Sequence, residues 1–292
     1  MNYTIENNLI KITVKKMGAE LTSIRTLDPD LEYLWQPQKN SVWGAQSPIL
    51  FPIIGVLANN TYFYNDKSYH LLGHGFAKDQ EFLLETKKTD AICLSIHDNE
   101  ETLKNYPFKF YLKVAYLIKD NSITIQYNVK NTDTKTMYFS IGGHPGFRCP
   151  LLDNESYTDY KLYLPQTEKI DRIVNHNQFL TGETELFLND ENLIDFSRLK
   201  LPQGQRVIIL KGLKSEQITL MNCKTEKGVT VQFTGFPYLG LWPIEDNPLI
   251  CIEPWFGITS MQNIVLDLKD KPGMQSLNPG KDFNASFSIS VF

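Results

Sequence analysis

Two short stretches of the sequence combine side chains that can move protons with rigid turns or strands that could aim them. In "SIGGHPGF", residues 140 to 147, His144 sits between a glycine pair and a Pro-Gly step. Imidazole is the side chain whose ordinary pKa lies nearest neutral pH, and loops carry functional groups more often than cores do. In "LGLWPIEDNPLICIEPWFG", residues 239 to 257, Glu253 follows the apolar run Leu249, Ile250, Cys251 and Ile252 and precedes Pro254 and Trp255. A carboxylate at the end of an apolar strand is paired, raised in pKa by desolvation, or turned out to water; raised, it is a plausible general base. A third stretch, "LLGHGFAKD", sets His74 between Gly73 and Gly75, where a backbone without Cβ lets a ligand or another strand come close. Each of these residues also has a structural reading: a turn cap for His144, a hairpin end for His74, a paired or solvated group for Glu253.

Other chemistries lack their residues. The sequence has no GxSxG elbow, no Walker loop, and no GxGxxG following a strand, so neither a serine nucleophile nor a nucleotide cofactor is indicated. His70 and His74 are four apart, but the glycine between them and the strand-like context remove the helical face that would bring both onto one metal. No metal site is expected. A glycosidase normally needs two carboxylates flanking the bond, and here one stands out, because Glu245 and Asp246 beside Asn247-Pro248 read as a solvated turn. Trp242 and Trp255 are core residues or platforms for stacking on an apolar ring face.

These groups must be positioned by strands. Phe108, Phe110, Leu112, Val114 and Tyr116 alternate with Lys109, Tyr111 and Lys113; after the turn "KDNS", Ile123, Ile125, Tyr127 and Val129 repeat the pattern. Period-two alternation of this kind marks strands with one face on a core, and the two runs predict a hairpin. Ile10, Ile12 and Val14, then Val229, Val231 and Phe233, then Phe283, Ala285, Phe287, Ile289 and Val291 extend it towards both ends. Helical spacing is scarce, the best candidates being "DNEETLKNY" near residue 100 and "NDENLIDFSRL" near residue 190. With no βαβ alternation, no linker and no internal repeat, the expectation is one all-β antiparallel domain over residues 1–292 with a few short helices.

Composition narrows the setting. The chain has 292 residues, 42% hydrophobic and 12% aromatic, enough for a large core. Its formal charge of −4, from 29 Lys+Arg against 33 Asp+Glu, supplies no basic field for a phosphate backbone, so nucleic acid is not an expected partner. No segment has the length of apolar residues that spans a bilayer, and the N-terminal residues do not read as a signal peptide. Cys93, Cys149, Cys223 and Cys251 are far apart and read as reduced thiols, which with the rest suggests a cytoplasmic protein. A homodimer is left open.

Taken in order, "GAELTSI", "PILFPIIG", "HGFAKD", "GGHPGF", "YLGLW" and "CIEPWFG" resemble the aldose 1-epimerases, or galactose mutarotases, most closely their LacX-like branch, over nearly the whole chain. The resemblance implies a β-sandwich of the galactose-mutarotase type with a concave sugar site. It implies that His144 is the general acid, Glu253 the general base, and His74 a second histidine that binds the sugar. Mutarotation would take the proton of the anomeric hydroxyl while protonating the ring oxygen, with acid and base expected on opposite sides of the ring and with neither metal nor cofactor. The substrate expected is a hexose or hexose phosphate. One position departs from the family pattern: after "FPIIG" an arginine is usual, and Val56 stands there. Arginine presents five donors in a fixed fork and valine none, so Lys78 or Arg148 would have to supply what is missing. A carbohydrate-binding or sensing protein with the same cleft, and an unrelated sandwich with all its aromatics in the core, are the alternatives.

Overall fold

The computed structural model describes residues 1–244 and 249–292; Glu245 and Asp246, the expected solvated turn, lie outside the described residues. Antiparallel strands dominate. A four-stranded sheet is built from Asn2–Glu6, Ile10–Lys15, Leu21–Leu27 and Asp30–Glu32. A much larger sheet begins at Ile49–Leu50 and passes through Ile141–Gly143, Leu249–Phe256, Tyr238–Pro243, Ile208–Lys211 and Tyr160–His176. It continues through Gln217–Asn222, Gly228–Gln232 and Asp282–Val291 to the hairpin Ser122–Asn131 and Phe110–Lys119, then to Ala91–His97 and Leu83–Lys87.

The predicted hairpin is present, pairing Phe110 with Asn131 at one end and Lys119 with Ser122 at the other. Its register places the apolar members of both strands on one face, and Phe110, Leu112, Val114, Tyr116, Ile123, Ile125, Tyr127 and Val129 are all buried. Ile10, Ile12 and Val14 of the smaller sheet and Ile289 and Val291 of the last strand join the same core cluster. The two sheets are tied by polar contacts as well: the Tyr116 hydroxyl donates to the Ala19 carbonyl at 2.6 Å and the Tyr33 hydroxyl to the Phe292 carbonyl at 3.0 Å. Because a phenol buried without a partner carries a desolvation penalty, these bonds let large aromatics fill the core at little cost.

One helix candidate is borne out and one is not. Glu100–Asn105 is a single α-helical segment started by a capping box, in which the Asn99 side chain accepts from Glu101 and Thr102 backbone N–H groups and Thr102 returns a bond. "NDENLIDFSRL" instead completes the long strand Phe179–Asp195, and only Phe196–Leu199 forms a 3-10 turn. The strand pairs with Tyr160–His176 through several register shifts. Those shifts break strict alternation, and Leu193, Phe196 and Leu199, at three-residue spacing, imitate a helical face.

Candidate active site

The pairing of three segments explains why His144 and Glu253 meet. Ile141–Gly143 lies antiparallel to Leu249–Phe256, with Gly142 opposite Trp255. Gly146–Arg148 returns to the same strand, with Gly146 opposite Cys251. His144 falls between these two registers and so stands across from Glu253, although the two are 109 positions apart in sequence. Gly142 is required for the approach: a Cβ there would lie 2.6 Å from a Trp255 ring carbon and 2.7 Å from the Pro254 carbonyl oxygen.

The resulting contact is close. His144 Nδ1 lies 3.3 Å from Glu253 Oε2, with His144 8% and Glu253 1% exposed. The angle does not satisfy a hydrogen bond, and neither atom has another partner. Burial pushes the Glu253 carboxyl well above the carboxylate range, with the Trp255 indole opposing. Burial, and then the neighbouring His74, push the His144 imidazole well below its ordinary value. Both groups are thus driven towards their neutral forms, and the contact lets one proton serve the two. The Trp255 indole N–H is buried beside them. Two facing buried polar atoms without a hydrogen bond are unusual in a folded chain and mark a place where a polar ligand would complete the bonding.

His74 enters from another loop. It adopts a left-handed conformation, φ 65°, and Gly75 follows at φ 69°. A Cβ on Gly75 would lie 2.3 Å from the Phe51 carbonyl oxygen, which accepts from the Phe76 and Ala77 N–H groups, so the glycine makes room for another segment of the chain. The His74 backbone N–H donates to the Gly55 carbonyl at 2.8 Å, and the Gly55 N–H donates back to His74 Nδ1 at 3.3 Å. Since a backbone N–H can only donate, Nδ1 is the acceptor and the neutral ring carries its hydrogen on Nε2. Burial, aided by the charges of Lys78 and Lys271, lowers its pKa to about 4. His74 is therefore a neutral donor across the physiological range, its ring centroid 5.6 Å from that of His144.

These residues line one cavity of about 450 Å³ together with Lys78, Trp242 and Trp255. Arg148 is not among its lining residues. It stands opposite Leu249, four residues along the strand from Glu253, a distance of roughly 13 Å at about 3.3 Å per residue; its guanidinium lies 3.4 Å from Asp153. Lys78 does reach the wall, donating to the Gly75 carbonyl at 3.1 Å and pairing with Asp79 at 2.5 Å. Val56 lies outside the lining; a Cβ on Gly73 would meet its side chain at 3.2 Å.

Several lining residues carry no signal in the sequence. Trp43 stacks on His144 with centroids 4.9 Å apart and an interplanar angle of 27°, while Trp242 meets the same imidazole edge-on at 5.4 Å. The loop bearing Trp43 is latched by Glu20, 2% exposed, whose Oε1 accepts from the Gln46 N–H at 2.7 Å and the Ser47 N–H at 2.9 Å. Its other oxygen pairs with Lys15, which also faces the cavity. Arg206 lies at the rim, exposed, with no carboxylate partner among the described residues.

Comparison with known proteins agrees with the fold. The sequence profile of the family described as Aldose 1-epimerase matches residues 1–290. The chain belongs to the aldose 1-epimerase family. Protein LacX, chromosomal, of Lactococcus lactis subsp. lactis is 34% identical over 303 residues, covering 100% of this chain and 99% of the relative. Among solved structures, a galactose mutarotase related enzyme from Lactobacillus acidophilus superposes with a TM-score of 0.93 at 36% identity, covering 100% of this chain and 97% of that one. A galactose mutarotase-like protein from Lactobacillus casei ATCC 334 gives 0.92 at 29% identity, covering both chains completely. The fold is thus the large antiparallel β-architecture of galactose mutarotase-like proteins, and membership makes the chain a relative of epimerases. Among the described residues no helix is long and apolar enough to cross a membrane.

Proposed function

We propose that the protein is a cofactor-independent aldose 1-epimerase that interconverts the α and β anomers of a hexose or hexose phosphate, with Glu253 as base, His144 as acid and His74 as a sugar-binding donor. The observation that carries the reading is the 3.3 Å contact, on a cavity wall, between two buried groups whose facing atoms have no hydrogen-bond partner. The family membership of the chain supports it.

The geometry changes one detail of the expected mechanism. Acid and base are neighbours rather than residues on opposite sides of the ring. That suits the reaction, because the anomeric hydroxyl and the ring oxygen are bonded to the same carbon and an adjacent pair can reach both. With one proton on the pair, the form that reacts is imidazolium and carboxylate, the arrangement that burial disfavours. Glu253 takes the anomeric proton, His144 gives its proton to the ring oxygen, the bond from C1 to the ring oxygen breaks and the C1 carbonyl forms. The pair is then imidazole and carboxylic acid, the two neutral forms that burial favours. After the carbonyl turns, the same transfers run backwards on its other face. No electron leaves the sugar, so the chemistry calls for no redox cofactor.

Around the pair, the Trp43 ring fixes the imidazole plane, His74 offers Nε2–H to a hydroxyl, and Trp242 and Trp255 present aromatic surface to the sugar's C–H face. Arg206, rather than Arg148, supplies the guanidinium that Val56 lacks, with Lys78 as a second cation.

The test is polarimetry, or saturation-transfer NMR, on freshly dissolved α-D-glucose, α-D-galactose and their 6-phosphates. The wild type accelerates at least one of them. Glu253→Gln, which keeps shape but cannot accept the proton, folds and binds but loses at least about 10²-fold in rate. Equal rates for the two proteins would remove Glu253 from the mechanism.

A further inference from the structure

The strand that presents Glu253 presents a second reactive group two residues earlier on the same face, Cys251. Its sulfur, a His144 ring nitrogen and a Glu253 oxygen all lie within 4.8 Å of one another, and all three residues are buried. Nitrogen, sulfur and oxygen donors on two elements of one rigid sheet form the type of set that holds zinc with its fourth position open. Tetrahedral zinc, with nitrogen and oxygen at about 2.0–2.2 Å and sulfur at about 2.3 Å, needs neighbouring donors roughly 3.3–3.8 Å apart, so the three would close by no more than about 1.5 Å.

Two further observations point to a ligand here. His144 Nδ1 and Glu253 Oε2, more than nine-tenths buried, have no hydrogen-bond partner. The imidazole is also held in place, stacked by Trp43 and edged by Trp242, so little side-chain entropy is lost when it ligates. No separation in sequence could show this set, because Cys251 and Glu253 meet His144 only through the sheet register.

We propose that His144, Cys251 and Glu253 form an inhibitory site for a thiophilic divalent cation such as Zn²⁺, which occupies the acid and base and so excludes the sugar. Cys251 binds as the thiolate, its proton passing to water as the sulfur–metal bond forms, while His144 gives a ring nitrogen and Glu253 an oxygen. His144 and Glu253 line the cavity and Cys251 lies behind them, so a water reaching the cation would come from the cavity side. The cation plays no part in turnover: it withdraws the two groups that turnover needs.

The experiment uses the full chain in a Cys223→Ser background, since Cys223 is the exposed thiol, after removal of metal with a chelator. Cobalt(II) is the probe, and its thiolate charge-transfer band in the near ultraviolet reports a sulfur ligand without reference to turnover. The band is expected to appear, to be abolished by Cys251→Ser, to be displaced by Zn²⁺, and to require at least roughly tenfold more cobalt in Glu253→Gln. Circular dichroism confirms that each variant folds. Adding a sugar that the metal-free protein epimerises weakens cobalt binding in proportion to its saturation. No band in the parent, or an equal band in Cys251→Ser, overturns the site; a band indifferent to that sugar overturns the exclusion. Failure of the metal-free protein to epimerise any sugar bears on the function proposed above and leaves the band to decide the site.

Discussion

Lys271 offers a measurable consequence of burying a cation behind the site. It is 2% exposed, and among the described residues no carboxylate pairs with it. Its Nζ donates to the carbonyls of Ile54, at 2.8 Å, and of Ile258. It thereby clamps together the two segments that carry Gly55 and Thr259 into the cavity wall. Burial lowers its pKa from the ordinary 10.5 to about 7. Between those values the unfolded chain binds a proton that the folded chain does not, so stability rises with pH through that window. Below it both states are charged and the dependence vanishes. Each pKa unit is worth 1.36 kcal/mol; with half-titration at the lower edge, the gain from pH 7 to pH 9 is about 2 kcal/mol. The perturbation is Lys271→Met, which keeps the aliphatic stem and removes the titrating group. Urea unfolding of both proteins at pH 6, 7, 8 and 9, taken as the difference between them, cancels other titrations. The expected difference is flat from pH 6 to 7 and then moves in favour of the wild type by about 2 kcal/mol. A difference flat to pH 9 would mean that the two carbonyls keep the ammonium charged, and the desolvation argument would be refuted.

The other predictions concern the cavity. Beyond the losses expected for Glu253→Gln and the cobalt band tied to Cys251, Glu20→Ala strands two backbone donors and Lys15. It should lower stability by about 2–4 kcal/mol, read as a shift in urea midpoint. It should also lower kcat, because the Trp43 loop loses its latch. Arg206→Ala should raise KM for the accepted sugar about tenfold, as befits loss of a charge-assisted hydrogen bond, with a smaller effect on kcat; an unchanged KM would exclude Arg206 from binding.

Strands with one wet face were legible because alternation reports them locally, as at Ile10–Val14 and in the hairpin from Phe110 to Asn131. The strand Phe179–Asp195 was not, because register shifts against its partner interrupt the alternation that identifies strands. His74, His144 and Glu253 could be picked out by their contexts of glycine, proline and apolar strand, yet nothing local states that the last two touch. Arg148 shows the converse error. It follows His144 closely in sequence, but an extended chain moves each residue about 3.3 Å onward, and four positions carry it beyond the cavity. Trp43, Glu20 and Arg206 lay hidden because their neighbours are ordinary loop residues and their positions depend on distant segments.

The arrangement around Leu249–Phe256 explains why one strand can carry so much of the site. Alternation puts Cys251, Glu253 and Trp255 on one face, and the two short strands opposite are interrupted between Gly143 and Gly146. The interruption turns His144 out of the ladder while leaving it across from Glu253, and Pro145 keeps contact by accepting from the Ile252 N–H at 3.2 Å. Broken at that point, the sheet holds an imidazole and a carboxyl group in contact, and both line the cavity. The same strand brings the Cys251 sulfur within 4.8 Å of the pair.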